Sequence, residues 1–184
     1  MKKSYANPFY RLLAYWIDIT LLYAVLVGLQ VGLTTITDGA IVNWFVMRNN
    51  SWLTYGWIFL VISLPMWLYF ILGESSPRQA TLGKSLLGLK VTDMDGKHLS
   101  VTTAAWRTVC KLAFFEIGHL SFLFPTPLFE EQQPSLRVGF VILMALMLVY
   151  FILTFITPRR QSLHDLVVNT LVVRGPRRAE DAKA

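Results

Sequence analysis

The sequence predicts an all-α membrane protein with four transmembrane helices, near residues 12–34, 52–72, 106–125 and 138–157, and a small cytoplasmic β-hairpin or strand element. Three observations predict it. Charge is scarce: 15% of the 184 residues are charged and 54% are hydrophobic, where soluble chains carry about a quarter charged. Three runs hold no Asp, Glu, Lys or Arg at all, over 19 residues (19–37), 25 residues (49–73) and 21 residues (138–158). About 20 apolar residues suffice to cross a bilayer as a helix. Finally, the basic residues segregate along the chain in a way that only an even number of crossings explains. The same composition excludes a disordered chain, a coiled coil and a disulfide scaffold.

The first span contains Asp18 and is followed by no small-residue cleavage site, so it reads as a retained helix and not as a cleaved signal. The second carries Trp52 and Trp57 toward its outer end and Trp67 and Tyr69 toward its inner end, as interfacial aromatic belts require. Pro65 inside it removes a backbone donor and predicts a kink. Next, residues 87–93 and 97–101 flank Met94-Asp95-Gly96 and read as a hairpin, to which 169–173 can add a third strand. Residues 138–157 form the most apolar span, and 176–184 read as a flexible basic tail.

Residues 106–125 hold Arg107, Lys111, Glu116 and His119, and by hydropathy alone fit an interfacial helix equally well. Charge decides in favour of a span. With four crossings, 15 of the 17 basic residues share one side with both termini, leaving only Arg48 and Arg137 opposite. That side carries a net +9, the other −1, and Asp18 and Glu116 place −2 within the bilayer. With three crossings the tail takes six basic residues outside, against the positive-inside rule. Arg107 and Lys111 are expected to snorkel to the inner interface. The net charge of +6 is thus a topology signal and not a mark of nucleic-acid binding.

Asp18 stands out among the candidate functional residues. A carboxylate within a span costs roughly 2.5–3.5 kcal/mol on insertion scales and normally faces a partner. It is either an ion or proton site or a buried polar anchor. Arg11 lies seven residues earlier, on the same helix face but about 10 Å away along the axis. Asp165, after His164, can pair with Arg11 at the inner level, or serve as a helix-terminal or surface acid.

These segments together resemble the RDD family of bacterial membrane proteins. The resemblance rests on FYRLLAYWID in the first span, ATLGKSLLGLKVTDMDGKHLSVTTAAWR in the loop and RRQSLHDLVVNTLVV in the tail. It implies one membrane domain over 1–175, with Arg11, Asp18 and Asp165 as the arginine and two aspartates. It further implies residence in the bacterial inner membrane and a transport role of undefined ligand.

Other motifs carry less. Gly83-Lys84-Ser85 lacks the earlier glycine of a phosphate loop, because Arg78 stands there. The Asp93/Asp95 pair lacks the ligands that would close a calcium loop. Gly28 and Gly32 allow close helix packing, within the chain or against a second copy. Glu116 and His119 put two ligand types on one helix face, but one copy makes no di-metal set, and they remain secondary candidates with His164. Neither Cys110, Ser63 nor Ser121 has an identifiable base. The expectation is therefore a non-enzyme without metal or cofactor. It performs transport or ion/proton exchange through the Arg11/Asp18/Asp165 cluster, or it acts as a scaffold. Its expected partners are the bilayer, anionic lipids at the cytoplasmic face and a further copy of itself.

Overall fold

The computed structural model describes residues 4–46, 50–133 and 136–175. Arg48 and the tail at 176–184, both used in the charge argument, lie outside the described residues. Four helical segments are long and apolar enough to cross a membrane, and a two-stranded antiparallel sheet accompanies them.

Helix α1 (Pro8–Ile36) starts where the Asn7 side chain accepts the Phe9 N–H at 2.9 Å, with Pro8 in the first turn. Its 29 residues span about 43 Å, longer than the hydrocarbon core is thick, which a helix accommodates by tilting or by projecting beyond it. After the short α2 (Ala40–Val46), the second span is built from α3 (Ser51–Ile58) and α4 (Leu64–Ser75). A π-helical turn, Phe59–Ser63, joins them, with the Leu64 N–H donating to the Phe59 carbonyl. Pro65 sits just after this turn. The expected disturbance is thus taken up by the widened turn before the proline.

The short α5 (Leu82–Leu86) leads into β1 (Leu89–Asp93). The predicted hairpin is only half realised. Asp93 does make the turn, its carboxylate accepting the N–H groups of Asp95 (2.9 Å) and Lys97 (2.7 Å). Residues 97–101 form no strand, however, because Ser100 accepts the Thr103 N–H (3.1 Å) and starts helix α6 (Val101–Leu123) there. A local N-cap outcompetes the second arm, and α6 begins earlier than the hydropathy indicated. The partner of β1 is instead β2 (Thr170–Arg174), with Val91 opposite Val172. The Tyr5 region extends the sheet through the Ala6 N–H to the Val172 carbonyl (2.9 Å). The chain start and the segment after the last span are therefore on the same face, here termed the sheet face. Between α6 and β2 come α7 (Val138–Ile156) and the single-turn α8 (Leu163–Val167).

Helix α4 packs on α6, α6 on α7, and α1 on α5. Burial is uneven. Phe70, Met66 and Leu112 form one core within the bundle, while Ala6, Ala14, Leu89, Val91, Leu99 and Val172 form another beneath the sheet. Helix α7 buries no residue, and most of α1 is exposed, as lipid-facing helices are. Gly28 and Gly32 have no neighbour within 4 Å of a built Cβ. The close packing their spacing permits is not made among the described residues.

Candidate functional site

Polar burial concentrates at the sheet-face ends of the helices, in two neighbouring sets. The first is centred on Asp18, which is fully buried in α1. Its Oδ1 accepts the Tyr69 hydroxyl (2.5 Å) and the Gly83 N–H (2.7 Å), and its Oδ2 accepts the Thr81 hydroxyl (2.6 Å). The Tyr69 hydroxyl oxygen in turn accepts the Leu82 N–H (3.0 Å). The carboxylate thus ties α1 to the start of α5 through neutral donors. Only glycine fits at 83: a Cβ there would stand 2.2 Å from the Ala14 carbonyl oxygen and 3.0 Å from the Asp18 carboxyl carbon.

The second set is a chain of buried ion pairs running across α1, α4, α6 and α8. Arg107 of α6 is 1% exposed and links two fully buried carboxylates. It donates to Asp165 Oδ1 from Nη2 (2.5 Å) and Nε (3.2 Å), and to Glu74 from Nη1. Glu74 Oε1 also accepts Lys84 and Lys111, each at 2.9 Å. On its other side Asp165 pairs with Arg11, which also donates to Ser162 Oγ (3.2 Å) and the Arg160 carbonyl. Asp165 Oδ2 accepts the Ser162 N–H (3.1 Å) and hydroxyl (2.9 Å), closing a capping box that starts α8. Thr170 donates to Asp165 Oδ1 (3.3 Å) and accepts from Arg107 Nε (3.1 Å). Lys111 additionally lies 3.7 Å above the Phe70 ring centroid, a cation–π contact.

Burial alone would raise the Asp165 carboxyl, but Arg11 and Arg107 hold it well below the usual carboxylate range. Burial drives His164 well below its ordinary value of 6.5, and Arg107, Lys111 and Arg11 add to this against the opposing pull of Asp165. His164 is therefore neutral at pH 7.

Of the predicted trio, the structure joins Arg11 to Asp165 and gives Asp18 separate partners. No described hydrogen bond or ion pair links Asp18 to either of the other two. Arg107 and Lys111 do not snorkel to an interface. They are buried, because Glu74 and Asp165 offer nearer acceptors than water does. Glu116 lies in the opposite half of the bundle, where Tyr55 (3.2 Å) and His119 (3.3 Å) approach its Oε2. Among the described residues no group of three His, Cys, Asp or Glu gathers to hold a metal.

The family model for RDD matches residues 5–169. The chain belongs to the RDD family. No curated protein and no solved structure matches it. The pieces of sequence that resembled the family supply many, but not all, of the residues in the two buried polar sets of this RDD-family chain. The TLGK segment supplies Thr81, Gly83 and Lys84, and HD-x4-T supplies His164, Asp165 and Thr170. Glu74, Arg107 and Lys111 escape a sequence reading as site residues, because they merge into the inner bank of charge. The available signal is the i, i+4 spacing of Arg107 and Lys111, which puts both cations on one face of an otherwise apolar helix.

A cavity of about 470 Å³ adjoins the ion-pair chain, between α1, α6 and α7. This is within the range of small-molecule sites. Arg11, Lys84, Arg107, Lys111, Ser162 and His164 line its polar end. Neither Glu74 nor Asp165 lines it. Four basic side chains meet two carboxylates here, a formal excess of two basic groups over acidic ones.

Proposed function

We propose that the protein is a transport-type membrane protein that recognises an acidic ligand at the Arg11–Arg107–Lys84–Lys111 cluster. The observation that carries this reading is the cavity whose polar end is lined by cations and by no carboxylate among the described residues. A buried excess of basic groups is costly in its charged form unless something neutralises it, and an anion does so directly. The concentration of basic residues supports placing the sheet face in the cytoplasm. Family membership supports the bacterial inner membrane as the setting. The reading assigns the protein no catalytic chemistry.

A cation or proton pathway through Asp18 draws less support. Both of its oxygens are occupied by Tyr69, Thr81 and Gly83, which suits an anchor between α1 and α5. The rival reading is a non-transporting scaffold, favoured by the way the ion pairs tie α1, α4, α6 and α8 together. Under either reading a second copy would pack on the open Gly28/Gly32 face of α1.

Reconstitution in phosphatidylcholine vesicles separates these. Labelled inorganic phosphate and a labelled acidic lipid are offered to wild type, to Lys84→Gln/Lys111→Gln and to empty vesicles. Movement of either anion above the empty-vesicle rate, lost in the double variant, is the expected result. Wild-type movement no faster than empty vesicles refutes transport. Sodium or proton flux that disappears in Asp18→Asn would replace the anion reading with cation exchange.

A further inference from the structure

The walls of the cavity narrow the class of acidic ligand. Away from the cations they are apolar, formed by Leu12 of α1, Phe115 of α6, and Met144, Met147, Leu148 and Phe151 of α7. Leu12, Met147 and Phe151 line the cavity yet remain 39%, 40% and 47% exposed. Helices α1, α6 and α7 are long and apolar enough to cross a bilayer, where such exposure faces hydrocarbon. The cavity is thus a cleft between α1 and α7 that opens sideways into one leaflet. Phe155 of α7 also lines it and meets Phe9 of α1 edge to face, with ring centroids 5.4 Å apart.

We propose that this cleft binds one acidic phospholipid of the sheet-face leaflet, its phosphate at Lys84 and Lys111 and an acyl chain along Leu12, Phe115 and Met147. This rests on the anion reading above and names the ligand. A soluble anion satisfies the cations but leaves the apolar walls unexplained, and a neutral lipid does the reverse. Each lysine ammonium has three donors, of which one is used on Glu74, so both retain donors for phosphate oxygens. The Tyr15 hydroxyl, buried and without a hydrogen-bond partner among the described residues, belongs to another lining residue and supplies one more polar group. The excess of basic groups favours a phosphate monoester, which carries about −1.5 to −2 at neutral pH, over a headgroup with no net charge. Phosphatidic acid is therefore the best fit, phosphatidylglycerol next, and phosphatidylcholine the poorest.

The test uses the full chain in neutral detergent, with lipid binding read by native mass spectrometry and inorganic phosphate binding by thermal shift. One phosphatidic acid per protein is expected, with affinity at least about tenfold above phosphatidylcholine. That is the effect of about one charge-assisted hydrogen bond. Lys84→Gln/Lys111→Gln removes the preference. Because that variant also disturbs Glu74, Met147→Trp is the second arm: it fills the exposed cleft without touching a charge and lowers lipid affinity by about tenfold or more. Equal retention of phosphatidylcholine, or unchanged phosphatidic acid binding in Met147→Trp, overturns the lipid site. Stabilisation by inorganic phosphate without lipid preference overturns the lipid inference and leaves the anion reading standing. Absence of both overturns the two together.

Discussion

Replacing Glu74 by glutamine keeps the side-chain volume and removes one buried negative charge. Glu74 is the acceptor for Lys84, Lys111 and Arg107. Arg107 retains Asp165, but the two lysines lose the carboxylate they share. The formal excess of basic groups at the cluster rises from two to three. Breaking a buried pair by removing one partner costs about 3–5 kcal/mol, and for a chain this long each kcal/mol lowers the melting point by roughly 2–4 °C. Thermal unfolding in neutral detergent, followed by tryptophan fluorescence, should therefore fall by about 6–20 °C. Adding Lys84→Gln to Glu74→Gln removes one of the stranded cations and should recover part of the loss, with a coupling of about 0.5–3 kcal/mol. Phosphatidic acid should stabilise Glu74→Gln more than wild type, since the added phosphate replaces the missing charge. A loss below about 1 kcal/mol, or strict additivity with Lys84→Gln, would refute the view that Glu74 holds this cluster together.

Gly83→Ala should separate α5 from α1, since its methyl would overlap the Ala14 carbonyl. Overpacking of this kind costs about 1–3 kcal/mol, and an unchanged melting point would remove Gly83 from the α1–α5 contact. Acid should destabilise the protein in two stages. His164 is depressed below 6.5 on folding, so its contribution is complete above that pH and declines as pH falls, by at most about 1.4 kcal/mol per pH unit. Asp165 is depressed below 3.8, so its contribution is present above about pH 4 and is lost only in stronger acid. A pH series of melting points for wild type and His164→Gln checks this, since the variant should lack the decline that starts near pH 6.5. Reporter fusions after Gly96 and after Thr126, which flank α6, should report opposite sides of the membrane, and identical sides would eliminate α6 as a span.

The spans are legible in the sequence because membrane crossing is a property of composition over about twenty residues. Even α6, which carries Arg107 and Lys111, is recovered, by the distribution of charge over the rest of the chain. The fate of those charges is not legible. A lone cation near a helix end predicts snorkelling, and only the folded chain reveals that Glu74 and Asp165 approach the same point from α4 and α8. Asp18 shows the same division. Its burial follows from its position in a span, whereas its partners Thr81 and Gly83 lie more than sixty residues away. The Asp-Gly turn marks a real reversal at Asp93, but the conformation of residues 97–101 depends on competition between a strand and the Ser100 cap. Arg11–Asp165 is the one long-range pair the sequence suggests, because both residues are placed at the same depth.

The two sets of buried polar groups differ in a way that bears on function. Asp18 has as many donors as it needs and no surplus, as expected of a group that fixes α5 against α1. In the ion-pair chain, Arg11 and Arg107 already balance Glu74 and Asp165 in number, so Lys84 and Lys111 are additional. Buried ion pairs are weak contributors to stability, and apolar residues of similar volume often serve as well or better. Two lysines beyond electrical balance are therefore poorly explained by stability alone. They line the same cavity as the apolar residues of α1 and α7, and they retain unused donors. A scaffold would require the pairs that connect the helices. An acidic ligand requires the two basic groups left over.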